Sequence, residues 1–496
     1  MSTVEPRSRG ATLPLILLAL WLLATAWWRP LLLPDEGRYA NVAREMLNGS
    51  LLVPTLNGLP FFHKPPLAYW IDIAAMTVFG QNAFAVRLAP ALGAWLMGAA
   101  LLLAMRRWHG ERFATIALVA IATTPFFFVG GQYVNHDKLV AGLITVAVLC
   151  IARAVDDGPK PSLRWMVAGW VACAIAMLAK GLIGLVLPAA VIGAWLLVQG
   201  RWREVLRLLH PLGIAAFVVV GLPWFAAMQA RHPGFFDYFV MEQHFRRYAQ
   251  SSFNNVHPAW FYLAVLPALT VPWSGFVIAG AVRAWRERSA LLGSPALLLY
   301  AIWTVAIIAF FSLPSSKLVG YALPALAPWC ALIALVAARG RTWPVVAAVA
   351  ALLCLGIVGA LAWKAPHSTR PAALALAAER GADDRVVFVD EMFYDLPFYA
   401  RLAQPPVLAS DWAEPALPRR DNWRKEVFDA ARFDPDRARA LLWPIGKLAE
   451  LRCGVPAVWF VVPPGQAARV QGIDGIERRF SGIDAQLWRA PGRACS

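Results

Sequence analysis

The feature that most constrains this chain is the recurrence of apolar stretches of roughly 18 to 25 residues, each long enough to carry a helix across about 30 Å of hydrocarbon. They run approximately over 11–28, 82–105, 113–130, 138–154, 165–179, 183–200, 209–228, 259–281, 294–312, 318–338 and 343–363, and then stop. With 59% apolar and 15% charged residues, the chain is well outside the range of soluble domains, which are about half apolar. The expectation is a multi-spanning α-helical membrane protein of about eleven crossings, or as many as thirteen. The count turns on 65–80 (PPLAYWIDIAAMTVFG), apolar but opened by two prolines and carrying Asp72, which reads as a helix lying at the interface. Residues 7–26 also satisfy a signal-peptide description; cleavage there would not change the sidedness of the remaining chain.

A net charge of +16 would suggest nucleic acid in a soluble protein, but here the basic residues flank the apolar segments. Arg7/Arg9, Arg106/Arg107/Arg112, Arg153/Lys160/Arg164, Arg201/Arg203/Arg207, Arg283/Arg286/Arg288 and Arg339/Arg341 fall on alternate short connections, as positive-inside loops do. This places the amino terminus in the cytoplasm. On the other side it leaves the loops 29–81, about 130–137, 229–258 and 312–317, together with the tail from about 364. Residues 1–363 are thus read as a transmembrane domain. Residues 364–496 alternate β-branched runs (RVVFVD at 385–390, AVWFVV at 457–462) with helical stretches such as 423–433, and read as a small α/β domain. Cys150, Cys173, Cys330 and Cys354 lie in apolar segments as packing residues. Cys453 and Cys495 could pair if the tail faces an oxidising compartment.

Most of the unusual polar residues lie on that outer side. In LLLPDEGRYANVAREMLNGS, Pro34 and Asp35 precede an amphipathic run that stops at Asn48-Gly49, a short helix with proper ends. Asp35 would ordinarily cap such a helix. Beside Glu36 and Arg38, at a membrane surface where charge must be solvated or used, it is also a candidate catalytic carboxylate. LNGLPFFHKPPLAYW holds His63 and Lys64 between aromatics and a double proline; Lys64 either snorkels or binds an anion. GGQYVNHDKLV places His136, Asp137 and Lys138 at the mouth of a segment, with Asp137 either a cap or a second carboxylate. In MEQHFRRYAQSSF, His244 and Arg247 share a helical face with Arg246 adjacent, and guanidinium suits phosphate oxygens. FSLPSSKLVGYALPALAP sets Lys317 at a segment end and Tyr321 one turn further in. Each is an ordinary boundary residue alone; together they form a charge set suited to a lipid phosphate.

The strings PDEGRYA, FHKPPLAYW and SSKLVGYALPALAP, in this order, resemble the lipid A aminoarabinose transferases and related membrane glycosyltransferases, over about residues 10–340. The protein O-mannosyltransferases share the acidic pair. The resemblance implies the GT-C glycosyltransferase fold and an inner-membrane, inverting transferase. It would move a sugar, with 4-amino-4-deoxy-L-arabinose a candidate, from undecaprenyl phosphate to lipid A or another envelope acceptor at the periplasmic face, acting as a monomer without nucleic acid. It makes Asp35 the catalytic carboxylate, with Glu36 and Arg38 supporting it among the substrate- and phosphate-binding residues, and sets Lys64, Arg247 and Tyr321 around the carrier phosphate. One departure stands out: where the aminoarabinose transferases usually have glutamate before the lysine, sharing a metal with a later histidine, this chain has His63. Paired with His244 it suits zinc rather than magnesium or manganese. The rivals are a protein O-mannosyltransferase-like enzyme, a polyprenyl-lipid flippase and a non-catalytic lipid-binding subunit. A flippase places charge near the membrane midplane; here only Lys180, between two segments, departs from the outer boundary.

Overall fold

The computed structural model describes residues 10–158, 160–246, 255–286, 294–364, 367–419 and 421–495, with backbone alone at 244–246, 281–286 and 419. Among the described residues six helices are long and apolar enough to cross a membrane: Ala83–His109, His136–Asp156, Leu163–Lys180, Pro295–Ser312, Val319–Ala337 and Trp343–Lys364. Two bent pairs, Glu111–Ala122 with Pro125–Gln132 (68°) and Trp202–Leu208 with Pro211–Gly221 (50°), bring the number to 8 when each pair is counted as one span. Thr12–Leu23, Leu67–Phe79 and Ile183–Val198 are apolar but shorter. Several crossings expected from the sequence are therefore not straight, full-length helices, and proline accounts for the breaks because it lacks the donor that helix continuation needs. Segment 113–130 breaks before Pro125, and segment 259–281 divides into Phe261–Leu269 and Ser274–Arg286 around Pro272. Asp72, which the sequence reading places on an interfacial helix, lies in helix Leu67–Phe79 with its side chain buried.

Helices His136–Asp156 and Leu163–Lys180 are joined by a short connection and run antiparallel, so Lys180 returns to the level of Asp137. On that side the chain builds its exterior layer. Helix Asp35–Asn48 is followed by a two-stranded hairpin, β1 (Thr55–Leu56) and β2 (Leu59–Pro60), paired Thr55 to Pro60 and Leu56 to Leu59. Its turn is Asn57-Gly58, both at positive φ (53° and 76°), the backbone that this pair adopts most readily in tight hairpins. Glu45 takes both turn N–H groups, at 2.8 and 2.9 Å.

Beyond helix Trp343–Lys364 the tail forms a six-stranded sheet in the order β5-β4-β3-β6-β8-β7. Strands β3 (Arg385–Val389), β4 (Val407–Ser410), β5 (Leu442–Pro444) and β6 (Ala457–Val462) are parallel, while β7 (Glu477–Ser481) and β8 (Gln486–Pro491) are antiparallel neighbours. Val387, Val389, Val458, Phe460 and Val462 are fully buried, which is why these strands read as unbroken apolar runs. Cys453 and Cys495 are joined as a disulfide, and the four cysteines in apolar segments are free. The tail does not stand apart: Tyr39, Val42, Met46 and Phe61 of the first loop share one apolar core with Leu376, Phe388, Phe393 and Phe398 of the tail.

Candidate active site

Glu36, not Asp35, does the local work at the start of helix Asp35–Asn48. The N-cap position is Pro34, with no side-chain cap, and Glu36 reaches back to accept the Leu32 N–H at 2.9 Å. The same carboxylate takes the Val134 N–H at 3.0 Å and is held by the guanidiniums of Arg29 and Arg87, so it joins the first loop, the 130–137 loop and the following helix in one buried clamp. Burial alone would raise its pKa, but Arg87 and Arg29 hold the carboxyl down to about 2. Glu36 therefore does not belong among the phosphate-binding residues, where the sequence reading set it: it is 0% exposed and every contact is internal.

That clamp leaves Asp35 facing outward with its side chain 37% exposed and Arg38 3.5 Å away. Burial, with the Asp35 charge nearby, pushes the Tyr133 hydroxyl well above the usual tyrosine range, so it stays protonated as a donor. One turn along the helix, Tyr39 presents its ring edge to His136 at 4.7 Å, and His136 meets Tyr69 at 5.0 Å on the other side. His136 lies within electrostatic reach of both Lys64 and Lys180. Asp137 does not cap its helix, since Asn135 does so, accepting the Asp137 N–H at 3.0 Å. Its carboxylate pairs with Lys180, whose ammonium lies 4.7 Å from the centre of the Tyr321 ring. A Cβ at Gly320 would strike that carboxylate, which explains glycine before Tyr321. Asp35, Lys64, Asp137 and Tyr321, from four separate stretches of sequence, thus converge on one mouth of the helix bundle, and Lys180 joins them.

Other expected residues have different places. Lys317 is 3% exposed and its ammonium donates to the carbonyls of Pro314 (2.5 Å), His257 (2.9 Å) and Ser315 (3.5 Å). It ties two loops together and is removed from the phosphate set. Arg38 lies between carboxylates, 3.5 Å from Asp35 and 3.5 Å from Glu426 of the tail helix Trp423–Ala431, with the Tyr394 ring 4.7 Å from its guanidinium. Burial pushes the Glu426 carboxyl above its usual range against the opposing pull of Arg38. Arg246 and His244 belong to helix Asp237–Arg246, but their side chains, like the whole of Arg247, lie outside the described residues.

His63 directs Nε2 to the Tyr238 hydroxyl at 2.6 Å and Nδ1 towards Glu426 at 3.7 Å, stacked on Phe61. Glu426 is shared with Arg38, and among the described residues no three His, Cys, Asp or Glu converge on one point. The expected pairing of His63 with His244 around zinc turns on the His244 side chain, which lies outside the described residues.

Five contributors were missed in the sequence. Lys180 was legible, because a residue ending one helix of an antiparallel pair lies level with the start of its neighbour. Glu426, Tyr394 and Tyr238 carried no signal, being brought in by a tail and a loop far away in sequence. The motif glycine Gly37 belongs with them: a Cβ there would meet the Asp395 backbone nitrogen at 2.8 Å, so only glycine lets the tail sit this close to the loop helix.

The dolichyl-phosphate-mannose-protein mannosyltransferase family model matches residues 32–239. An undecaprenyl phosphate-alpha-4-amino-4-deoxy-L-arabinose arabinosyl transferase of Erwinia tasmaniensis is 36% identical over 335 residues, 66% of this chain and 59% of that protein. The protein of the same name from Pseudomonas aeruginosa strain PAO1 is 34% identical over 334 residues, with the same shares. The chain thus spans 59% of the length of these curated relatives. The crystal structure of ArnT from Cupriavidus metallidurans bound to undecaprenyl phosphate is similar with a TM-score of 0.83 at 23% identity, covering 97% of this chain and 98% of that one. Fold and site together define a multi-spanning membrane protein of the GT-C fold. Within that class, the chain is similar to the aminoarabinose transferases over 66% of its own length.

Proposed function

We propose that this protein is an inverting glycosyltransferase of the inner membrane that moves a sugar from undecaprenyl phosphate to lipid A, or a related envelope acceptor, at the periplasmic face. The observation that carries this reading is the meeting of a solvent-facing carboxylate, Asp35, with Lys64 and the Asp137–Lys180–Tyr321 cluster at one mouth of the bundle. The relatives' names supply the sugar, 4-amino-4-deoxy-L-arabinose, and the carrier.

In the reaction, a nucleophilic oxygen of the acceptor attacks the anomeric carbon as the bond to the carrier phosphate breaks. Negative charge grows on the phosphate oxygens, and Lys64 and Lys180 stabilise it where water is partly excluded. Asp35 accepts the acceptor proton, or orients an acceptor phosphate that is already ionised. Asp137 sets the direction of the Lys180 ammonium, and Tyr133 donates towards the same space. The described residues offer no metal site, so no step is assigned to one.

Two observations support an amino terminus in the cytoplasm and a tail in the periplasm: the arginine-rich short connections lie on the opposite side from the tail, and the Cys453–Cys495 disulfide suits an oxidising compartment. A flippase loses its chief support, because Lys180 is paired at the mouth rather than held at mid-depth. A lipid-binding subunit would have no use for Asp35. A protein hydroxyl stays as the second acceptor, on the mannosyltransferase family match over 32–239.

The test is transfer of radiolabelled sugar from a panel of polyprenyl-phosphate sugars to lipid A and to a hydroxyl-bearing peptide, by purified wild type and Asp35→Asn. Turnover by wild type and a loss of at least roughly a hundredfold in Asp35→Asn are expected. Lipid binding without turnover on any acceptor, or equal rates in the two proteins, would overturn the assignment.

A further inference from the structure

The turn between β7 and β8 runs Ser481-Gly482-Ile483-Asp484-Ala485. Turn positions draw Ser, Gly and Asp because their backbones or side chains satisfy the bend, and the neighbours of Ile483 conform. Ile483 itself does not, and it stands 94% exposed. A lone exposed apolar residue is ordinary on a soluble face. The place of this one is not ordinary.

The Asp484 carboxylate lies 3.7 Å from Nδ1 of His367, three residues after helix Trp343–Lys364 ends. The His367 carbonyl accepts the Leu33 N–H at 3.1 Å, a short way past the end of the first apolar helix, Thr12–Leu23. The turn is thereby tied to the level at which apolar helices at both ends of the membrane domain give way to the exterior layer. Trp363 (90% exposed) closes the last of these helices, and Trp27 (62%) and Trp28 (46%) follow the first, as indole rings do where they settle at the headgroups.

We propose that the β7–β8 turn is a membrane anchor, with Ile483 entering the interfacial layer of the leaflet on the tail's side. The occupant is the lipid surface because the apolar tip is tied through His367 to the end of an apolar helix that closes on an exposed tryptophan. The anchor adds an attachment to the bilayer to those the tail already makes with the first loop. The tail carries Glu426 and Tyr394 to Arg38, so fixing it against the bilayer also fixes the roof of the site.

The experiment places a nitroxide at Ile483→Cys in the full chain, one copy per nanodisc of phosphatidylethanolamine and phosphatidylglycerol. A second label at Glu379→Cys, exposed at the far end of helix Arg370–Glu379, serves as reference. The readout is the ratio of collisions with oxygen, which concentrates in lipid, to collisions with a water-soluble nickel chelate. At Ile483 this ratio is expected to exceed that at Glu379 by at least about fivefold, as for a side chain seated in the interface. Equal ratios would put the tip in water, and exclusion of both reagents would put it against protein; either overturns the anchor while leaving the transferase reading untouched.

Discussion

Replacing Glu36 with glutamine separates architecture from chemistry in the two adjacent carboxylates of the first loop. The Glu36 carboxyl is held down from 4.5 to about 2, a difference equivalent to about 3 kcal/mol in favour of the charged, clamped form. Glutamine also strands Arg29 and Arg87, which are buried, and breaking a buried pair from one side costs roughly 3–5 kcal/mol. The cost falls on the two amides that Glu36 holds, Leu32 and Val134. Their hydrogen exchange, read by mass spectrometry on peptides spanning 31–36 and 130–137, is expected to accelerate by about two to three decades, since each 1.4 kcal/mol is about tenfold. The pH dependence carries its own sign. The folded pKa is depressed, so this stabilisation is complete above about pH 4.5 and is lost as pH falls towards 2. Wild type should therefore lose excess protection across that window, and Glu36→Gln should have none to lose. Exchange at both amides within about threefold of wild type would refute the clamp.

Lys180→Met removes the partner of Asp137 and the cation above Tyr321; a loss of about a hundredfold in turnover is expected, with near-wild-type turnover refuting a role at the phosphate. Gly37→Ala sets a methyl group against the Asp395 backbone, and overpacking of about 1–3 kcal/mol should loosen the tail from the loop helix, seen as faster trypsin release of the tail. Unchanged release would mean that the contact is slack. Cys453→Ser opens a disulfide spanning 42 residues, and the loop-closure term sets the expected destabilisation of the tail at roughly 4 kcal/mol by urea unfolding.

Much of the architecture was legible along the chain because the membrane imposes it. Apolar length, the alternation of arginine-rich connections and the prolines that break helices are local properties, as are the apolar strands at 385–390 and 457–462, observed at 385–389 and 457–462. The motif strings pointed to the right stretches of loop for the same reason. Direction could not be read from them. Asp35 and Glu36 are neighbours of one charge, yet 3.6 residues per turn sends one to solvent and the other into a nest of guanidiniums. Lys64 and Lys317 both sit at segment ends, but three carbonyls close around the second. The surroundings of His63 could not be read either, because its Glu426 neighbour, more than three hundred residues away and also paired with Arg38, comes from the tail. Sequence determined which residues reach the ends of the apolar helices, since that depends on hydropathy and helix length. Only tertiary packing decided which of them face the cavity, because that depends on partners supplied by distant segments.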